Sequence, residues 1–340
     1  MFNPICKKKL FLNFKIKCFW FVLLCLIFCQ TTSRLSADQS ELLIVSNYPE
    51  KLNGPGLILK ETYNNSNFRV LFHHVNHYKN KLNFIVTISN KQSETIEIGI
   101  KPGVGGPSKD VIYVGHKAAK DFLSSFEKVS KTMSLQPNQT VTLLDLAIKP
   151  NNVFSGIFEI INKKNNKLDM TIALIDKEYP QLSLFSDLQS PLNQYSVAQF
   201  DNPYKNINYK FDSNSVVGGF EIGGKPYVVD KKKMYSLKGN YGVVYDIDLE
   251  LENSVNTAQL INIYVLPKKN NAVNRAVFLI EGEIVELDML VNKNNKASMQ
   301  KFYEIILQPN QNKKISMLTL PQAGCYYPID IIINSQEAIL

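Results

Sequence analysis

Apolar and polar residues alternate strictly along much of this chain, and that period leaves few folds open to it. In KLNFIVTISN (81–90), Leu82, Phe84, Val86 and Ile88 fall on one face. In YDIDLELEN (245–253), Tyr245, Ile247, Leu249 and Leu251 do the same, opposite Asp246, Asp248, Glu250 and Glu252. A helix scatters such a pattern around its circumference, whereas an extended strand sorts it into one buried and one wet face. The chain is therefore read as mainly β.

The strands recur in one order. Each of the two above stops at an asparagine, Asn90 or Asn253, and a second alternating run follows, TIEIGI (95–100) or QLINIYV (259–265). Each run then meets a proline, Pro102 or Pro267, which is read as ending ladder pairing. Both halves next reach Leu-Gln-Pro-Asn-Gln, at 135–139 and 307–311, a proline-set turn. Both return as a strand and close on GIFEIIN (156–162) or PIDIIIN (328–334). This shared order indicates a duplicated unit. The expectation is two tandem antiparallel β-sandwich domains, 41–178 and 196–340, joined by a linker at 179–195.

This grammar of strand, asparagine, turn and strand, with its L-x-P-x-Q turn and Tyr-x-Ile strand, resembles bacterial Ig-like and fibronectin-III-like adhesion modules. It is similar to secreted two-domain proteins without an assigned activity. The resemblance covers both halves, implies the same sandwich fold, and brings no catalytic residue with it.

The halves differ in their insertions. VGHKAAKDFLSSFEKVSK (114–131) puts Ala118, Ala119, Phe122, Leu123 and Phe126 on one helical face, predicting a short helix in the first domain. RAVFLIEGEIVELDMLV predicts a hairpin turning at Glu281-Gly282 in the second.

Residues 1–37 read as a signal peptide: lysines at 7, 8, 9, 15 and 17 precede an apolar run from Cys18 to Cys29. That run is short of the roughly 20 residues a membrane span needs. The segment holds six of the 38 basic residues and no acid, so the remainder carries 32 against 30. The basic balance therefore belongs to the leader and gives no reason to expect a nucleic-acid partner. Four of the five cysteines also lie there, leaving Cys325, so no internal disulfide is expected. Asn- and Lys-rich, Arg-poor composition suggests a bacterial source.

Candidate chemistry is sparse. His73, His74 and His77 in LFHHVNHYKN are the metal-ligand candidates. On a strand, however, His73 and His74 point to opposite faces, and His73 lies roughly 13 Å from His77. KPGVGGPSKD (101–110) has the glycines of a phosphate loop without its Gly-Lys-Ser/Thr ending, and is read as a structural loop. Glu281, Glu283, Glu286 and Asp288 could pair as glycosidase carboxylates, but match the wet face of a hairpin. Lys231, Lys232 and Lys233 are placed on a solvated hairpin tip, and Cys325 is expected to pack in a core. From the aromatic residues crowding the second domain, Tyr204, Tyr209, Phe220 and Tyr227 supply the candidate binding surface.

The expected function is accordingly a secreted or cell-envelope, non-enzymatic binding or structural module, with no catalytic residue, cofactor or metal. Its partner would be a protein or glycan of the cell surface. Membrane contact is expected only through the N-terminal signal or anchor. The alternatives are an extracytoplasmic metal-dependent hydrolase and an accessory factor for envelope or fibre assembly that pairs strands with a client.

Overall fold

The computed structural model describes residues 42–48, 50–65, 67–126, 131–176, 196–294 and 296–338. The expected signal peptide and linker lie outside the described residues. Ser40–Leu340 forms one compact unit. Its first strands are β1 (Leu42–Tyr48), β2 (Lys51–Leu52), β3 (Gly56–Tyr63), β4 (Asn67–Asn76), β5 (Leu82–Asn90) and β6 (Ile96–Ser108). After helix α1 (Val111–Ser124) come β7 (Lys131–Leu135), β8 (Thr140–Ile148), β9 (Val153–Ile161), β10 (Leu168–Ile175) and β11 (Ser196–Asp201). The second half opens with β12 (Tyr204–Asp212), β13 (Val217–Ile222), β14 (Val244–Glu252) and β15 (Gln259–Pro267). Short strands follow: β16 (Ala272–Asn274), β17 (Val277–Ile280), β18 (Glu283–Glu286), β19 (Leu290–Lys293) and β20 (Lys296–Ala297). The chain closes with β21 (Gln300–Leu307), β22 (Asn312–Thr319) and β23 (Ile329–Glu337).

The repetition read from sequence reappears as topology. In the first half β5 pairs with β8, and a second sheet contains the order β4-β9-β6-β7. In the second half β14 pairs with β22, and the other sheet runs β13-β23-β15-β21. The Leu-Gln-Pro-Asn-Gln turns share their conformation and main hydrogen bonds. Asn138 and Asn310 both take φ of 60°, the left-handed region that asparagine tolerates. Gln139 Oε1 accepts from Gln136 N at 2.7 Å, and Gln311 Oε1 from Gln308 N at 2.8 Å.

The asparagine stops turn out to be buried plugs. Asn90 donates from Nδ2 to the Glu94 and Leu135 carbonyls, and Asn253 to those of Thr257 and Leu307. Both are fully buried. Each ties the end of one strand to the shared turn, so removing the amide orphans several buried carbonyls. Asn90→Ala and Asn253→Ala are each expected to destabilise the protein by about 1–3 kcal/mol, by matching amounts. Urea denaturation checks this; a large loss at one position and none at the other would break the equivalence of the two copies.

Two departures from the sequence reading concern the cores. Strand β11, assigned by sequence to the second domain, pairs antiparallel with β1 in the first half's sheet. That sheet, β11-β1-β4-β9-β6-β7, is covered on both sides. Leu42, Ile44, Phe68, Val70 and Phe72 pack toward β5 and β10, with the Phe72 and Phe84 rings 4.7 Å apart. Leu43, Val45, Leu71 and Ile157 face the other way and join the second half's core. The two cores are therefore not self-contained: the second borrows a wall from the first.

A third departure is the glycine-rich segment, which is the continuation of β6 and not a loop. Pro102 does not end the ladder; it pairs with Phe158 on β9. On the other side the pairing with β7 has already finished at Ile100–Lys131, so no amide is asked of the proline there. The glycines let α1 lie on the strand at backbone contact. A Cβ at Gly103 would stand 2.2 Å from the Ala118 carbonyl oxygen, and one at Gly105 would stand 1.9 Å from that of Val114. The helix begins at Asp110, whose side chain caps it by accepting from Ile112 N and Tyr113 N. Ala118, Ala119, Phe122 and Leu123 are buried, as the helical face requires.

Candidate functional site

The repeated order gives a way to locate what is specific to each half. The halves share the strands β4-β9-β6-β7 with β5-β8 and β13-β23-β15-β21 with β14-β22. They differ in their flanking strands, antiparallel β10 beside β5 but parallel β12 beside β14, and in their connections. Three insertions stand out: α1 in the first copy, and segments 223–243 and 268–299 in the second. Two of them meet. Helix α1 packs against β17 and β18 of the 268–299 insertion. At Gly115 an added Cβ would lie 1.7 Å from the Ala323 carbonyl oxygen. His116 Nε2 sits 2.9 Å from Glu286 Oε2, and Lys120 hydrogen-bonds the other Glu286 oxygen. Burial pushes His116 below its ordinary value, against the hydrogen bond to Glu286. Burial alone would raise Glu286, but the hydrogen bonds from Lys120 and His116 outweigh it and hold the carboxyl down. Of the two, Lys120 contributes more.

Beside this joint lies a buried charge ladder. Arg69 and Glu159 stand directly opposite on β4 and β9, and Lys101 stands opposite Glu159 on β6. Arg69 Nη2 is 3.1 Å from Glu159 Oε1, with both side chains fully buried. Lys101 Nζ is 3.5 Å from the other carboxylate oxygen. Arg69 reaches across to the second half, donating to the Gly242 carbonyl at 2.8 Å and to Tyr204 Oη at 2.8 Å. Its guanidinium also lies over the Phe122 and Tyr204 rings. These groups bind the two halves together.

The histidine candidates separate. His74 is in the core, its Nε2 3.0 Å from Ser46 Oγ and its ring among Phe84 and Phe154. His73 projects from the opposite face, with Nε2 3.6 Å from Glu50 Oε1, a carboxylate that sequence proximity missed. His77 is exposed beyond the strand. Among the described residues no group of three His, Cys, Asp or Glu side chains is arranged to hold a metal ion. The acids also disperse: Glu281 accepts from Ser316 N at the hairpin turn, Glu283 and Asp288 are exposed, and Glu286 belongs to the joint. Cys325 is buried, its sulfur accepting from Arg275 N and Gln322 Nε2, and burial pushes its thiol up.

The aromatic candidates Tyr204, Tyr209, Phe220 and Tyr227 are all half-buried. Tyr204 is engaged by Arg69, and Tyr209 stacks on Phe220 at 5.3 Å while accepting from Gly219 N. Exposed apolar side chains are found elsewhere, among them Val216, Val217, Met289 and Met299, and a group of them stands beside lysines in the third insertion. Where β4 and β5 are joined by 77–81, their counterparts β13 and β14 are joined by 223–243. That segment folds back on itself, with Val229 bridging to Ser236 and Leu237 N donating to the Val228 carbonyl. At its tip stand Lys231, Lys232, Lys233, Met234 and Tyr235. Asp230, itself buried, fixes the turn by accepting from Tyr235 N at 2.6 Å and Lys232 N at 3.2 Å. Lys231 N donates to the Gln199 carbonyl, tying the tip to β11. Val229, Met234 and Tyr235 are 49%, 69% and 63% exposed. Sequence placed the lysines on a hairpin tip; what it lacked was the comparison of loop lengths between copies, which marks this segment as an addition.

The chain is thus a mainly β protein of sandwich character with one helix among its described residues. No family model and no curated protein matches its sequence. Among solved structures, the pre-peptidase C-terminal domain of collagenase from Bacillus anthracis is 9% identical, with a TM-score of 0.19, covering 40% of this chain and 99% of its own. An anti-sigma factor domain-containing protein is 10% identical, with a TM-score of 0.21, covering 83% and 95%. The CUB1-EGF-CUB2 domains of rat MASP-1 are 10% identical, with a TM-score of 0.17, covering 83% and 98%. Likenesses of that size carry no functional argument.

Proposed function

We propose that the protein is a secreted or cell-envelope module of two tandem Ig-like β-sandwich domains that acts by binding and not by catalysis. Its partner belongs to the cell surface, and the contact is made through the 223–243 insertion. One observation carries this reading. The 223–243 insertion is tied to the first half through Gly242 and β11, and it holds a fixed tip on which lysines, Met234 and Tyr235 are exposed. Added loops on a rigid scaffold are where binding residues concentrate.

The test is capture of the unit 40–340 on isolated envelopes of the source cells. Replacing the tip 231–235 with a short Asn-Gly turn should abolish capture while leaving the β-type far-UV dichroism and the melting temperature unchanged. Equal capture of both proteins would sink the reading.

A further inference from the structure

We infer that the 229–235 tip docks on an anionic lipid surface. This rests on the binding-module reading and names the component of the cell surface that the tip meets, in place of the protein or glycan expected from sequence.

Charge and shape both favour such a surface. Lys225, Lys231, Lys232, Lys233 and Lys238 are all exposed along one short insertion. The acid within the tip, Asp230, faces inward and spends its oxygens on backbone amides. Asp201 pairs with Lys231 at 3.4 Å. Among the described residues no carboxylate lies at ion-pair distance from Lys232 or Lys233. Clustered lysines beside an anionic leaflet are drawn to it within about a Debye length.

Met234, Tyr235 and Val229 supply the second component. An apolar thioether and an amphipathic ring, held out beside lysines, match the boundary between headgroups and acyl chains, where lysine stems lie along apolar surface with their ammonium groups in water. The tip is a short turn held by two isolated bridges, Val229 to Ser236 and Asp230 to Phe200 on β11, and not a strand of the length that peptide addition to a sheet edge uses. Asp230 and the left-handed Lys233, at φ of 57°, fix the turn before any contact, so little ordering is needed on docking.

The experiment uses the compact unit 40–340. Trp20, the chain's one tryptophan, lies outside that unit, so Tyr235→Trp places a single fluorophore on the tip. Vesicles rich in phosphatidylglycerol should shift its emission to the blue, pure phosphatidylcholine vesicles should not, and salt at about 0.5 M should reverse the shift. In sedimentation with the anionic vesicles, Lys231→Gln/Lys232→Gln/Lys233→Gln should lose about a hundredfold in partitioning, at roughly fivefold per lysine removed. Met234→Ser/Tyr235→Ser should weaken it with the charges intact. All the substituted side chains are exposed, and far-UV dichroism checks that each variant is folded.

Partitioning that ignores lipid charge, or that survives the triple substitution, overturns the inference. So does tip-dependent binding of polyglutamate in the absence of lipid binding, which would make the partner an acidic polypeptide. Tip-dependent capture on whole envelopes without binding to anionic vesicles would overturn the lipid inference alone and leave the binding-module reading standing.

Discussion

Arg69→Met is expected to destabilise the protein by about 3–5 kcal/mol, because breaking a buried ion pair from one side strands the other charge. Glu159 would keep Lys101, at 3.5 Å, but lose the closer partner, and the Gly242 carbonyl would lose its donor. The pair spans adjacent strands while Arg69 also reaches the second half, so the damage should appear at the junction as well as in the sheet. Thermal denaturation should then fall by roughly ten degrees for a chain of this size. The triple replacement Arg69→Met/Lys101→Met/Glu159→Leu should recover part of the loss, since apolar replacement of a whole buried charge set is often neutral, whereas removing only Arg69 and Glu159 would strand Lys101. A single-variant loss below about 1 kcal/mol would show that the ladder is solvated and does not bind the halves.

The second large effect is expected at Gly105. Read as a loop residue, it would tolerate alanine, which often stabilises by restricting the unfolded chain. In the observed strand an added Cβ overlaps the Val114 carbonyl oxygen of α1. Backbone cannot step aside as a side chain can, so Gly105→Ala should destabilise by about 3 kcal/mol, the upper end of overpacking. Gly54, where an added Cβ would meet nothing nearer than 3.9 Å, is the control, and alanine there should change little. Chemical denaturation of the two variants decides between loop and strand; equal stability would restore the loop.

What could be read from sequence followed from how many faces of a strand carry apolar side chains. β5 and β14 each set their large apolar side chains on one face, so alternation announced them. β4 shows no such rhythm in NFRVLFHHVN because apolar side chains fall on both faces, Phe68, Val70 and Phe72 toward one core and Leu71 toward the other, whereas the second face of the equally buried β5 carries Asn83, Thr87 and Ser89. The glycine-rich segment misled because glycine and proline suggest turns, whereas its glycines answer to a helix lying above them. Nothing local marks Arg69 as Glu159's partner, 90 positions away. The duplicated turn was legible because its asparagines and glutamines bond within a few residues or to the adjacent strand end. The tip was half legible: three lysines in a row announced a loop, but Tyr235 could not be told from its half-buried neighbours without knowing which face each occupies.

The wall shared by the two cores also bears on inheritance. A duplicated gene segment begins as two interchangeable copies, either of which recombination can delete or move. Once Leu43, Val45, Leu71 and Ile157 had come to lie in the neighbour's core, excising that neighbour would leave a greasy flank bare to water. Deletion of either copy would then favour aggregation. Either half taken alone would carry that apolar flank into solution.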